Sequence, residues 1–321
     1  MRQRHINVSS ACYLLADIGG TNARFAYGDH AGLLAGTQRS FPNKDFARFG
    51  DVLQTYLNEC PPPRGVTGGC IAVAGPVAGT VAELTNRNWV IDASDAARVA
   101  GAPGLRLIND LSALARSTAC LAPDQVSQIR QGNTGAGNGQ TVVLGLGTGV
   151  NCATRIRMAG RDGVVAAEIG HTPLPRDMAE LLAEAFGRAP EADTTVEQVL
   201  SGRGFERLYH QLSGKACSGV AIANRAETGS DPQAGKARDL YRKLVAIYLP
   251  ALALHFMPKD GIYLAGSVAR SLLGGSCVNE LTAPLDRSGP MQHVLQDIPL
   301  GLIVDDAAAL SGCLETAKDP A

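Results

Sequence analysis

The chain has 321 residues, of which 45% are hydrophobic and 18% charged, and its net charge is −1. This length suits two domains of ordinary size or one large domain. The balanced charge predicts no nucleic-acid partner. The longest apolar run, Leu244–Met257, is shorter than the roughly 20 residues that a membrane-spanning helix needs, so no membrane association is expected.

The eight cysteines are too widely spaced to form CxxC metal or redox motifs, and several fall in apolar, strand-like runs. Asp17 interrupts the first apolar stretch too early for a signal peptide. Together these features predict a reduced protein located in the cytoplasm.

Short apolar runs rich in Val, Ile and Tyr predict strands. In chain order they are YLLADI, ARFAYG, CIAVAG, TVAELT, LRLIN, TVVLGLG, VNCATRI, GIYLAGS and LGLIVD. Helical patterns lie between them, several with Asp or Ser at the start and Gly at the end. They are DASDAARVAG, NDLSALARSTACL, DMAELLAEAFG, TTVEQVLSGRGFERLYHQL and GKARDLYRKLVAIYLPALALHFM. Residues 132–140 are predicted to form a surface loop.

This alternation predicts the α/β class. Two strands join directly across a Gly-rich turn early in each half of the chain, which indicates mixed sheets. The stretch YLLADIGGTNARFAYG, from Tyr13, and the stretch TVVLGLGTGVNCATRI, from Thr141, share this strand–turn–strand form. Duplication of one α/β domain explains the echo, and coincidence between two Gly-rich hairpins explains it equally well.

The two glycine turns fit neither of the best-known nucleotide-binding loops. No Gly-Lys pair is followed by Ser or Thr, as a P-loop requires, and Val150 occupies the last glycine position of a GxGxxG fingerprint. Backbone amides of a tight Gly/Thr hairpin can instead surround phosphate oxygens. Asp17, beside the first turn, could then hold Mg²⁺ through water, because Mg²⁺ prefers few carboxylates together with phosphates and waters. The alternative is two structural hairpins, with Asp17 capping a turn.

These motifs resemble, in order along most of the chain, those of the bacterial-type glucokinases, which belong to the sugar kinase, actin and heat-shock ATPase superfamily. ADIGGTNAR and LGLGTGVNCA resemble the two phosphate loops, LINDLSALA the catalytic block and GIYLAGSVA the adenosine loop. CIAVAGPV with LTNRNWVID, EIGHTPL and VEQVLSGRG are similar to the sugar-side blocks, the first of which includes Asn86. No cysteine lies between Cys152 and Cys217, which argues against the zinc-containing branch.

The resemblance implies two ribonuclease-H-like, actin-like ATPase domains with mixed sheets flanking a central cleft. A small domain would comprise residues 1–109 and about 300–321, and a large domain residues 110–299. It also implies a homodimer, and phosphorylation of the 6-hydroxyl of glucose by ATP with Mg²⁺. The implied nucleotide-binding residues are Asp17, Ile18, Gly19, Gly20, Thr21 and Asn22, then Gly147, Thr148 and Gly149, and finally Gly266 and Ser267.

The resemblance assigns Asp110 as the base that accepts the proton of the sugar hydroxyl. Local sequence alone favours a helix N-cap there. The residues implied to bind sugar are Asn109, Asp110, Glu168, His171 and Glu197. Without the resemblance, Glu168 and His171 form a surface pair on one helix face or part of an incomplete metal site, and Glu197 lies on an exposed helix face.

Two positions depart from the family pattern. Asn151 replaces a glycine of the second phosphate loop, where Asn is expected to tolerate left-handed backbone, and Ser267 replaces a glycine of the adenosine loop. Both departures predict weakened nucleotide affinity. Two other functions therefore stay open, a kinase of another hexose or an aminosugar, and a sugar-sensing binding protein with weakened catalysis.

Overall fold

The computed structural model describes residues 11–84, 87–132, 137–275 and 277–319. Asn86 and residues 133–136 of the predicted surface loop lie outside these ranges. The described strands are β1 (Tyr13–Ile18), β2 (Asn22–Gly28), β3 (Arg39–Pro42), β4 (Gly68–Val73), β5 (Val77–Ala78), β6 (Val81–Glu83), β7 (Val90–Asp92), β8 (Leu105–Asn109), β9 (Val126–Arg130), β10 (Gln140–Leu146), β11 (Val150–Met158), β12 (Arg161–Ala166), β13 (Ile262–Ala265) and β14 (Leu300–Ile303).

The described α-helices follow a mixed order with the strands. They are α1 (Phe49–Glu59), α2 (Ala93–Ala100), α3 (Asp110–Ser117), α4 (Arg176–Phe186), α5 (Val196–Leu200), α6 (Gly202–Ser213), α7 (Gly219–Thr228), α8 (Pro232–Phe256), α9 (Ser267–Leu272), α10 (Val278–Thr282), α11 (Gln292–Leu295) and α12 (Ala308–Lys318). Several begin and end at the predicted capping residues. In α2, for example, Asp92 is the N-cap, and Gly101 ends the helix in the left-handed conformation.

The chain divides into two compact units. The first comprises Met1–Leu121 and Asp306–Ala321, and the second Ala122–Asp305. The sequence predicts divisions at residues 109–110 and about 300 instead. The difference arises because α3 packs on α12, so closely that a Cβ on Gly312 would lie 1.8 Å from the carbonyl oxygen of Ala113. Asp110 consequently belongs to the first unit.

The main sheet of the first unit has the strand order β3-β2-β1-β4-β8. β1 pairs antiparallel with β2 and parallel with β4, which is in turn parallel to β8. Side chains alternate between the two faces of β1. Leu14 packs in the core on the α1 side, whereas Leu15 packs in a second cluster with Leu310 of α12. Asp17 has the same parity as Leu15 and therefore shares the face covered by α3 and α12.

The sheet of the second unit has the strand order β12-β11-β10-β13-β14-β9. β10 pairs antiparallel with β11 and parallel with β13, and β13 is parallel to β14. The long helix α8 contributes Leu244, Leu249 and Leu252 to the core of this unit. Among the described residues, no helix combines the length and apolarity needed to span a membrane.

Five strands of each main sheet share one topology, and β9 adds a sixth, antiparallel strand to the sheet of the second unit. In each, an antiparallel three-stranded meander continues into two parallel strands, in the order third-second-first-fourth-fifth. This confirms the predicted α/β class with mixed sheets. It is also the result expected if the sequence echo between β1–β2 and β10–β11 reflects duplication rather than coincidence.

Candidate active site

The first predicted phosphate turn joins β1 to β2. Ile18 is buried at the end of β1, and the Gly19 amide donates to the carbonyl of Asn22 at 3.0 Å, which closes the turn. Gly20 and Thr21, at its tip, are exposed. A short hairpin turn whose tip residues are exposed is able to present backbone amides to an anion.

Asn43, which the sequence analysis does not identify, supports this turn from behind. Its Nδ2 donates to the Gly19 carbonyl at 2.8 Å, and its backbone amide donates to the Thr21 carbonyl, also at 2.8 Å. The side chain is 1% exposed, and its Oδ1 has no partner within the described part of the chain. An Asn directly after a strand is the sole local signal, because the contact joins segments far apart in sequence.

Asp17 lies on β1, just before the turn. The residue is 7% exposed, and its carboxylate accepts from Nη1 of Arg24, its cross-strand neighbour, at 3.3 Å. Burial raises the pKa of Asp17 to about 6, the Arg24 guanidinium opposes this rise, and Asp306 adds to it. The acid is thus held beside the turn in a site that disfavours an uncompensated negative charge.

Asn109 and Asp110 lie where β8 ends and α3 begins. Asn109, not Asp110, is the N-cap: its Oδ1 accepts from the amides of Leu111 at 3.0 Å and Ser112 at 3.4 Å. Its Nδ2 donates to the Gly75 carbonyl at 3.3 Å. Because Asn109 caps α3, capping does not explain the acid at Asp110.

The Asp110 carboxyl group has a strongly raised pKa. Its Oδ1 accepts from the Leu111 amide at 2.9 Å. Burial, followed by the charge of Asp17, raises the pKa of Asp110 to about 7, and the Leu111 hydrogen bond opposes the rise. Burial raises the pKa of both carboxyl groups, and the charge of Asp17 adds to the rise at Asp110. Such a pair fits a divalent cation, which would supply further positive charge.

The second predicted phosphate turn joins β10 to β11. The Gly147 amide donates to the Gly149 carbonyl at 3.0 Å, and Thr148 is exposed at the tip. A Cβ on Gly149 would lie 2.7 Å from Oε2 of Glu197, so the glycine permits close approach of that carboxylate. The same Oε2 accepts from the Val150 amide at 3.0 Å.

The two residues that depart from the family pattern, Asn151 and Ser267, do not strain the backbone. Asn151 is a strand residue paired with Gly145, and its φ is not positive, so the expected left-handed conformation is not used. Ser267 is the first residue of α9 and also has ordinary φ. Gly266 is the demanding position: its φ is 99°, and a Cβ there would lie 2.3 Å from the Leu146 carbonyl oxygen.

The three predicted sugar residues of the second unit surround the start of β11. Glu168 and His171 are both exposed and do not share an α-helix. Glu168 directly precedes a short 3₁₀-helix, Ile169–His171, and His171 ends it. Glu197 lies on α5, half-buried against Val150, and not on an exposed helix face as local sequence suggests.

The structure therefore brings the predicted residues together as two groups, each within its own unit. The first unit joins the Gly19–Thr21 turn, Asp17 and Asp110. The second joins the Gly147–Gly149 turn with Glu197, and Gly266 with the end of β10.

Comparison with known proteins identifies the family of this chain. A family model described as Glucokinase matches residues 14–319. A glucokinase of Nitrobacter hamburgensis is 31% identical over 318 residues, covering 97% of this chain and 98% of that protein.

Solved structures agree in fold. The crystal structure of a glucokinase from an Antarctic psychrotroph has a TM-score of 0.77 at 26% identity, over 95% of this chain and 98% of that one. An ROK family glucokinase from Streptomyces griseus, solved in complex with glucose and AMPPNP, has a TM-score of 0.65 at 19% identity, over 96% and 99% of the two chains.

Proposed function

The chain belongs to the glucokinase family, and from that membership we propose how its own residues carry out the transfer of phosphate from ATP to glucose. The observation that carries the proposal is the Asp110 carboxyl group, at the end of β8, with a pKa raised to about 7 by burial and by Asp17. A general base is most effective when its pKa lies near the working pH.

Asp110 acts as the base. A sugar hydroxyl is a weak nucleophile, and the Asp110 carboxylate accepts its proton while the hydroxyl oxygen attacks the γ-phosphorus of ATP and the bond to the leaving ADP oxygen breaks. Catalysis of this kind rests mainly on positioning and electrostatics. The Leu111 amide, bonded to Oδ1, fixes the orientation of the carboxyl group.

The two glycine turns bind the phosphates of ATP. The Gly19–Thr21 turn, with Ile18 and Asn22 on either side, and the Gly147–Gly149 turn offer backbone amides, and Thr21 and Thr148 add hydroxyl donors. Asp17 would hold Mg²⁺ through water, and the ion would neutralise the charge of the phosphates. Gly266 and Ser267 contact the adenosine. The complex of the Streptomyces griseus protein with AMPPNP supports this nucleotide class.

The residues proposed to bind glucose are Asn109, Asp110, Glu168, His171 and Glu197. Carboxylates, imidazole and carboxamide suit vicinal hydroxyls, each of which donates and accepts. We also propose a cytoplasmic homodimer, as the family resemblance implies.

The test is ADP release with Mg·ATP and a panel of sugars: glucose, mannose, fructose and N-acetylglucosamine. We expect glucose to have the highest kcat/KM. A higher value for another sugar would reassign the substrate to another hexose or an aminosugar. Glucose binding by calorimetry without ADP release would indicate a sugar-sensing protein instead.

A further inference from the structure

Asn151 follows the second phosphate turn and connects it to a sugar-side segment. Its Oδ1 accepts from the Ile169 amide at 3.2 Å as well as from the adjacent Cys152 amide at 2.8 Å. Ile169 directly follows Glu168 and begins the 3₁₀-helix that ends at His171. The carboxamide of Asn151 therefore holds the backbone between two residues proposed to bind glucose.

The same region contains further contacts of this kind. A Cβ on Gly170 would lie 2.1 Å from the Val150 carbonyl oxygen, so the 3₁₀-helix packs directly on β11. The Val150 amide donates to Glu197, and the Gly202 amide donates to the Gly147 carbonyl at 2.8 Å. The sugar-side segments around residues 168–171 and 197–202 are thus both fastened to one phosphate hairpin.

We propose that Asn151 is a positioning residue that sets the place of Glu168 and His171 and couples glucose binding to nucleotide binding at the Gly147–Gly149 turn. The inference rests on the proposed roles of these residues. A glycine at this position, the residue that the family pattern has here, offers no side-chain acceptor for the Ile169 amide. The departure at Asn151 then serves the sugar side and does not weaken nucleotide affinity, contrary to the expectation from sequence.

The expected effect comes from a single hydrogen bond, from the Ile169 amide to Oδ1 of Asn151. Without the acceptor, the Ile169 amide loses a partner, and the segment that carries Glu168 and His171 is less well fixed. A net loss of one such bond changes an equilibrium by about five-fold. The loss should fall on glucose, since the bonded atom belongs to the sugar-side segment, whereas the amides of the phosphate turn keep their own contacts.

The experiment compares Asn151→Ala, Asn151→Gly and Asn151→Asp with the control Asn224→Ala, an exposed position on α7 in the same unit. KM for glucose, KM for ATP and kcat are measured separately, and glucose affinity is measured by calorimetry with and without AMPPNP. We expect the Ala and Gly variants to raise KM for glucose about five-fold, with little change in KM for ATP. AMPPNP should also strengthen their glucose binding less than it does in the unchanged protein.

Asn151→Asp keeps an acceptor oxygen in the same place and should recover the KM for glucose, although its charge is expected to raise the KM for ATP. The proposal is overturned if Asn151→Gly lowers KM for ATP and leaves glucose unaffected, or if glucose and ATP weaken equally. Failure of the proposed function would instead remove glucose-dependent ADP release from the unchanged protein. Calorimetry would then still report whether Asn151→Ala weakens glucose binding.

Discussion

At Asp110, burial and a neighbouring carboxylate act on the same proton. The side chain is fixed by the Leu111 amide, belongs to the helix α3 that covers the sheet face of Asp17, and has a pKa near neutrality. A surface aspartate ionises more readily, but it is a weaker base. The position thus gives up native-state stability for a carboxylate that can accept a proton from a sugar hydroxyl.

Removal of the base should separate binding from turnover. Asp110→Asn keeps an oxygen for the Leu111 amide and a polar group for the sugar, so we expect glucose affinity to change little. The kcat should fall by about 10²–10⁴-fold, the usual contribution of a general base. Calorimetry and ADP release on the same preparation measure both quantities, and a near-normal kcat would remove Asp110 from this role.

The raised pKa of Asp110 also predicts the acid limb of the pH profile. The base must be deprotonated, so kcat/KM for glucose should fall as pH drops below about 7, approaching ten-fold per pH unit. Because Asp17 and Asp110 interact, the apparent pKa belongs to the pair. Initial rates between pH 5 and pH 8 test this, with mixed buffers at constant ionic strength, and a flat profile would contradict it.

The same shift has a consequence for stability. Since the native pKa of Asp110, about 7, exceeds the ordinary value of 3.8, the native state binds the additional proton between these values and loses stability as pH rises through them. Asp110→Asn removes this loss. Its advantage in unfolding free energy should grow by about 2–3 kcal/mol from pH 5 to pH 8.

Urea unfolding of the protein without ligands measures that difference. Asp95→Asn, at an exposed carboxylate on α2, is the matched control and should show no such growth. An advantage for Asp110→Asn that is the same at both pH values would contradict the assigned shift.

The role of a residue is predictable from sequence where it depends on neighbouring residues, and is not predictable where it depends on residues far away in the chain. Asp110 is identifiable because an acid follows LRLIN and opens a helix. The elevation of its pKa is not, because Asp17 approaches it only through the fold. The contacts of Asn43 with the first turn, and the hydrogen bond from the Ile169 amide to Asn151, cannot be predicted from sequence for the same reason.

At the scale of elements, buried strands are predictable and edge strands are not. The central strands β1, β4, β10 and β13 are mostly apolar and buried, as expected of strands covered on both faces. The edge strand β12 is mostly exposed and is defined by its pairing with β11, which no local pattern reports. Helix α12 likewise owes its place in the first unit to packing on α3.

The junction between β13 and α9 offers a test of one such element. At Gly266, Ala would need φ near 99° and would press on the Leu146 carbonyl, next to the second phosphate turn. We expect Gly266→Ala to raise KM for ATP and to destabilise the protein by more than the ~1–2 kcal/mol of a left-handed alanine.

Gly229→Ala is the matched control, because Gly229 also has positive φ but its Cβ would meet nothing within 4 Å. It should cost backbone strain alone, with KM for ATP unchanged. Thermal unfolding and ATP saturation curves compare the two variants, and an equal effect on KM for ATP would contradict the role of Gly266.

For the whole molecule, the α/β class and the repeated strand–turn–strand pattern are better predicted from sequence than the boundaries of the two units. Five strands of each main sheet follow the same order, as expected from the paired Gly/Thr hairpins. The boundary near residues 121–122 was not predictable from composition, because the step from α3 to β9 carries no linker signature and depends on the packing of α3 against α12.

The central claim is that this chain transfers the γ-phosphoryl group of ATP to the 6-hydroxyl of glucose with Asp110 as the base. The most direct measurement follows ¹³C-labelled glucose and Mg·ATP by ¹³C and ³¹P NMR, for the unchanged protein and for Asp110→Asn. The account predicts glucose 6-phosphate formed in equal amount with ADP, and the same product at a greatly reduced rate in the variant. Phosphorylation at another carbon, ADP without sugar phosphate, or equal rates for the two proteins would contradict it.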